Sequence, residues 1–302
     1  MGGFLGTLPG VIDQGVIWGI MAIGVFITFK ILNFADLTVD GSFATGGCVY
    51  TVLYLGGVSS PIAFLIAFLA GAMAGLITAL IHCYLGIPGI LAGILTQLML
   101  WSINFKILGQ ITLGFSNRGQ LISSGADSGV FTTIPIVLGV AAVIIIGLYW
   151  FFGTKYGSSI RATGANEAMA KSNGINIHSR KITALMLSNA IIALAGALIT
   201  QFTGQADVNW GRGAIVIGLA AIIIGQTIIG KFGKNFAVQI SFTLMGGIIY
   251  FLVFQFIVYF TNEPDLLKMF SALVVAIFLA VPYIKNVYIK NMRSKRQRRK
   301  EM

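Results

Sequence analysis

Charge is scarce in this sequence. Asp, Glu, Lys and Arg make up 10% of its 302 residues, whereas 57% are hydrophobic and the mean hydropathy is +0.90. A soluble domain carries about 25% charged residues, so this chain cannot cover a water-facing surface and reads as an integral membrane protein. Acid is the scarcer sign: 9 Asp and Glu stand against 20 Lys and Arg, a net charge of +11. The distribution of that excess excludes a nucleic-acid partner. Eight basic residues fall within Lys285–Lys300, and most of the others occupy short gaps between apolar runs. Membrane proteins mark their cytoplasmic side in this way.

Cysteine and histidine are nearly absent. Cys48 and Cys83 both lie in apolar segments, where two buried thiols are expected rather than a disulfide or a metal site. His82 closes an apolar run and His178 lies in a polar loop; neither belongs to a nucleophile or metal pattern. No catalytic residue, metal ligand or resident cofactor is therefore expected. One stretch imitates a nucleotide site. "GQTIIGKF", residues 225–232, has the glycine–lysine spacing of a phosphate loop, but Phe232 stands where Mg²⁺ binding needs Ser or Thr. Gly230, Lys231 and Gly233 read better as a tight turn, and any ATP chemistry falls to a partner. The opening "MGGFLGTLPG" lacks the basic region of a cleavable signal peptide.

Long apolar runs are what the sequence has in abundance. Crossing the hydrocarbon takes about 20 residues of helix. Nine segments qualify, within a range of eight to ten: about 10–30, 38–56, 61–82, 87–108, 134–152, 182–204, 213–230, 236–260 and 266–284. The second and seventh follow polar stretches and read as broken or re-entrant. The expected fold is an all-α polytopic membrane protein, with a transmembrane domain over 1–285 and a basic tail over 286–302. Placing that tail in the cytoplasm puts 16 Lys and Arg inside and four outside: Lys106, Arg118, Arg212 and Lys268. The same assignment makes 153–181 a cytoplasmic loop and 110–133 an extracellular one.

A short repeat suggests an inverted duplication. "FADLTVDGSFATGG" (34–47) follows the first apolar run, and "QADVNWGRGAIVIG" (205–218) follows the sixth. Carboxylates are costly at membrane depth, so such residues face water, protein or cargo. Asp36, Thr38 and Asp40 in the first copy, and Asp207, Asn209 and Trp210 in the second, are the candidates for a translocation path or gate. Asp36 can also act as a helix N-cap. Trp18, Trp101 and Trp150 read as interfacial or lipid-facing anchors.

The polar stretch "RATGANEAMAKSNGINIHSRK" (161–181) stands out against this background. Asn166 is an N-cap candidate, Glu167 opens about two helical turns, and Gly174 stops them. Ala168, Met169 and Ala170 offer a small shallow surface, while Glu167 and Lys171 are spaced as an ion pair. So short a helix is unstable alone in water and is expected to dock on something in the cytoplasm.

This segment resembles the coupling segment of ABC importer permeases, whose Glu-Ala-Ala…Gly pattern is matched loosely by Glu167, Ala168, Ala170 and Gly174, with Met169 inserted. "NFADLTVDGSFATGG" and "GQADVNWGRGAIVIGLAAIIIG" resemble signature stretches of the branched-chain amino acid and ribose type permeases. Within that group they look most like permeases assigned to tryptophan or tyrosine uptake. The resemblance implies a pore made by two permease copies. It also implies an extracytoplasmic solute-binding protein, two ATPase subunits that hold the ATP and Mg²⁺ and grip the coupling helices, and a place in the bacterial cytoplasmic membrane. Membrane lipids are expected around the basic tail. Branched-chain amino acid, nucleoside and sugar cargoes remain alternatives, as do an ion-coupled secondary transporter and a non-transporting scaffold.

Overall fold

The computed structural model describes residues 2–115, 130–229 and 235–261, with a few helical residues between 269 and 280. These residues form α1 (Gly2–Phe26), α2 (Val39–Leu55), α3 (Ser60–Leu85), α4 (Gly89–Leu108), β1 (Thr112–Gly114), α5 (Val130–Gly153), α6 (Lys155–Ala165), α7 (Glu167–Ser172), α8 (Ile177–Thr203), β2 (Gln205–Asp207), α9 (Ala214–Ile229) and α10 (Phe236–Thr261). The all-α membrane reading holds. The two strands are only a clasp, pairing antiparallel with Thr112 opposite Asp207.

Among the described residues six stretches are long and apolar enough to cross a bilayer: Gly10–Ile31, Ser60–Leu85, Gly89–Leu108, Thr133–Gly153, Ile177–Thr203 and Phe236–Val258. The expected second and seventh segments are instead the shorter helices α2, 17 residues, and α9, 16 residues. At 1.5 Å per residue each measures about 25 Å, short of a hydrocarbon core of about 30 Å. The expected ninth segment lies largely outside the described residues, so the count of nine does not stand on these helices. The turn read at 230–233, most of the 110–133 loop and the basic tail also lie outside them.

The break before α2 has a local cause. The last turn of the first span is π-helical over Ile27–Ile31, a geometry that occurs mostly as single turns. Asn33 then takes φ 53°, a left-handed conformation in which asparagine is enriched. The chain leaves the helix there and re-enters one at Val39.

α1 and α8 form the centre. Ile17, Ile20, Ile23 and Phe26 of α1 and Ile191, Ile192 and Leu198 of α8 are buried in one cluster. α3 and α2 pack on α8, while α10 and α9 pack on α1, so the helix after each repeat copy has a counterpart in the other half. Outward faces such as Leu65, Leu98, Val143 and Trp150 stay apolar, as lipid contact demands. With no hydrophobic drive between helices in lipid, close contact depends on small residues. At the α2–α8 crossing a Cβ on Gly46 would overlap the Ala193 carbonyl, and one on Gly196 would overlap the Phe43 carbonyl. Each helix thus presents a glycine to the other's backbone.

Candidate functional site

The two copies of the repeat have the same local geometry. Asp36 Oδ1 accepts the Thr38 amide at 2.9 Å, and Asp207 Oδ1 accepts the Asn209 amide at 2.6 Å. Each Asp therefore closes a side-chain turn, the first directly before α2 and the second between β2 and α9, which starts at Ala214. Asp36 was read as an N-cap; the cap position of α2 is Thr38, and Asp36 holds that residue's amide from two positions earlier.

Asp36 does more than shape its own turn. Its Oδ2 accepts Asn189 Nδ2 at 2.8 Å, and Asn189 Oδ1 accepts the Ser42 hydroxyl at 2.6 Å. Thr38 and Thr78 share a hydroxyl hydrogen bond of 2.6 Å. The linker before α2, α2 itself, α3 and α8 are thus pinned by buried polar contacts at which each carboxylate and amide oxygen is satisfied. Buried networks of this kind rigidify when every member is paired. Asn189 was missed from the sequence, although a lone amide inside "LMLSNAIIALAG" is the signal that could have found it.

Asp40 joins the two repeat copies. Its Oδ2 accepts the Gly213 amide at 2.9 Å and its Oδ1 the Ile215 amide at 3.0 Å. A carboxylate at a helix N-terminus satisfies orphan donors and complements the helix dipole. Gly211 makes the approach possible, because a Cβ there would overlap the Asp40 carbonyl oxygen. Asn209 Oδ1 receives the Trp101 indole N–H at 3.3 Å, and Asp207 Oδ2 receives the Thr112 hydroxyl at 2.6 Å. Trp210, half-buried, lines a cavity of about 360 Å³ with Trp18, Arg212, Tyr250 and Phe251. Trp18 is therefore no lipid anchor: its ring stacks on Phe43 and Phe251 at 4.9 and 5.5 Å.

The segment 153–181 forms a separate unit. Asn166 caps α7 by accepting the Met169 amide at 3.0 Å, and Gly174 ends it with φ 76°, a conformation open to glycine. Two expectations change. Glu167 pairs with Lys181 Nζ at 2.7 Å rather than with Lys171, because the chain doubles back into α8 beside it. Ala170 is only 2% exposed, turned into the chain, so the outward surface is Ala168 and Met169, the latter 64% exposed. Lys181 Nζ also meets His82 Nε2 at 3.2 Å, and His82 Nδ1 lies 2.8 Å from the Ile87 carbonyl. As Lys181 can only donate, Nε2 accepts and Nδ1 carries the proton to Ile87. The polar loop is thereby tied to the corner between α3 and α4. On its other flank a Cβ on Gly164 would overlap the Ile31 carbonyl, so α6 sits against the end of the first span.

Comparison with known proteins agrees with this architecture. The family model for the branched-chain amino acid transport system, permease component, matches residues 8–282. A tyrosine transport system permease protein of Clostridioides difficile is 39% identical over 94% of both chains. A ribose import permease of Haemophilus influenzae is 26% identical over 59% of this chain and 53% of its own. Among solved structures, PsaBC from Streptococcus pneumoniae superposes with a TM-score of 0.58 at 16% identity, covering 93% of this chain and 94% of that one. A metal-chelate type ABC transporter in an inward-facing conformation gives 0.53 at 15% identity, covering 92% and 87%. At these identities the structures speak for the fold. The chain belongs to the branched-chain amino acid transport system permease family, as a non-catalytic membrane subunit of an ABC transporter whose ATPase is a separate polypeptide.

Proposed function

We propose that this chain forms the translocation pathway of an ATP-driven importer for an aromatic amino acid, tyrosine or tryptophan. The observation that carries the cargo is the 39% identity to the tyrosine transport system permease along nearly its whole length; the sugar permeases match less well and over less chain. In this reading an extracytoplasmic binding protein delivers the solute, two copies of the chain enclose the path, and two ATPase subunits seat on α7. The protein resides in the bacterial cytoplasmic membrane with its basic tail inside.

Glu167, Ala168 and Gly174 shape the seat, and Ala170 anchors it from within. Closure of the ATPases on ATP pushes α7. The push reaches the spans by two contacts, Glu167–Lys181–His82 toward α3 and α4 and Gly164–Ile31 toward α1. Asp36, Thr38, Asp40, Asp207, Asn209 and Trp210 shape the path or its gate. Among them Asp40 holds α2 to α9, the two short helices whose starts meet inside the bundle, as at the broken helices of transporters.

The test is ligand screening of the cognate binding protein by thermal shift, followed by uptake in proteoliposomes holding all subunits. Stabilisation by L-tyrosine or L-tryptophan, with ATP-dependent uptake of the same compound, is the expected result. A binding protein that answers only to sugars or nucleosides would refute the cargo.

A further inference from the structure

A cleft of about 330 Å³ opens between α2 and α4 beside the start of α9, with Asp40, Gln97, Trp101, Asn104 and Arg212 as its polar and aromatic lining. Asn104 is 0% exposed, and neither its Nδ2 nor its Oδ1 has a hydrogen-bond partner. A buried amide left unmatched costs about 1–3 kcal/mol per group, so an apolar side chain would be favoured there unless something fills the cleft and uses the amide. The guanidinium of Arg212 has no ion pair among the described residues, where Lys181–Glu167 is the one pair present. Asp40 gives both oxygens to the amides of α9 and makes no ion pair with Arg212. Trp101 is fixed by Asn209 and stacks on Phe105, leaving an oriented indole at the rim.

The cleft is therefore lined by one planar cation, the Asp40 carboxylate and one fully buried amide whose donor and acceptor are both unmatched. A sugar or nucleoside brings no anion to a guanidinium. An α-amino acid brings a carboxylate for Arg212, an ammonium for Asn104 Oδ1 and, if aromatic, a ring for Trp101. We propose that this cleft is a staging subsite for the zwitterionic head of an amino acid in transit, with the carboxylate on Arg212 and the ammonium on Asn104 Oδ1. The proposal rests on the amino-acid import reading given above and adds Asn104 and Arg212 as specificity residues.

The experiment uses the complete importer in proteoliposomes with loaded binding protein and L-tyrosine as probe, and measures the melting midpoint of each variant permease. Asn104→Leu keeps the branched outline of the side chain and removes both unmatched atoms. Its KM for uptake is expected to rise at least about tenfold, the usual scale for a lost contact to a charged group, while its melting midpoint holds or rises. Arg212→Gln is expected to raise the KM as much. An unchanged KM in both variants, with wild-type uptake of L-tyrosine intact, overturns the subsite and leaves the importer reading standing. A lower melting midpoint for Asn104→Leu also overturns it, because the amide would then be paired structurally, for instance with a second copy of the chain. Wild-type uptake of ribose in place of tyrosine or leucine overturns both readings.

Discussion

Asp40 and Gly213 lie 173 positions apart in the chain, and the Asp40 carboxylate takes the Gly213 amide at 2.9 Å. With the bond to Ile215, this carboxylate fastens one copy of the repeat to the other. Asp40→Ala strips the N-terminus of α9 of its acceptor and should lower stability by about 1–2 kcal/mol. Gly211→Ala drives a methyl into the Asp40 backbone and should cost about 1–3 kcal/mol. Thermal unfolding of the detergent-solubilised variants reads both, and melting points equal to wild type would show that the α2–α9 contact does not hold the halves together.

Asn189→Leu should destabilise, in contrast to the substitution at Asn104. It leaves Asp36 Oδ2 and the Ser42 hydroxyl buried without their partner, and an orphaned buried group costs about 1–3 kcal/mol, more when charged. The paired substitutions Asn189→Leu and Asp36→Leu should recover part of that loss. No recovery in a double-mutant cycle would mean the two residues are not coupled.

Lys181 is predicted to carry force rather than stability. Glu167 is 54% exposed although Lys181 is only 12% exposed, and an ion pair open to solvent on one side adds about 1 kcal/mol or less to folding. Glu167→Lys should therefore melt as wild type does but lose ATP-driven uptake, and Glu167→Lys with Lys181→Glu should regain it. If the double variant stays inactive, Glu167 acts on the ATPase alone and the route through Lys181 is wrong.

Tyr156 supplies a pH test. Burial raises its pKa, but hydrogen bonds with Ser179 and Thr183 and the charge of Arg180, 3.5 Å above its ring, outweigh that and bring it below the ordinary 10.0. An acid with a lowered folded-state pKa adds stability above its unfolded value and loses it as pH falls through the folded one. The contribution thus grows in as pH rises through the lowered folded value and is complete only above about 10. Ultraviolet difference titration of wild type against Tyr156→Phe should show one phenol ionising early. A midpoint at or above the ordinary value would contradict the packing of α6 on α8.

Much of this was legible in the sequence because membrane helices advertise themselves. Runs such as residues 61–82 and 134–152 admit only one structure in lipid, and Asn166, Glu167 and Gly174 mark the ends of α7 in their chemistry alone. The two Ala-Asp stretches were visible too, and each Asp accepts the amide two residues on. What failed was anything decided by contacts distant in the chain. Glu167 has Lys171 one helical turn away, yet pairs with Lys181 because the loop folds back. Ala170 looks like surface on a polar loop, yet is covered by the chain around it. Asn104 and Arg212 carry no local pattern at all; only the shape of the bundle brings them to one cleft.

The central claim is that this chain moves nothing by itself and is driven from outside through α7. Uptake of L-tyrosine into proteoliposomes measures it directly, with the permease alone compared to the permease plus its ATPase, binding protein and ATP. The account predicts accumulation only in the complete system, abolished by Gly174→Pro, which removes the left-handed turn that ends α7. Accumulation against a gradient by the permease alone would contradict it.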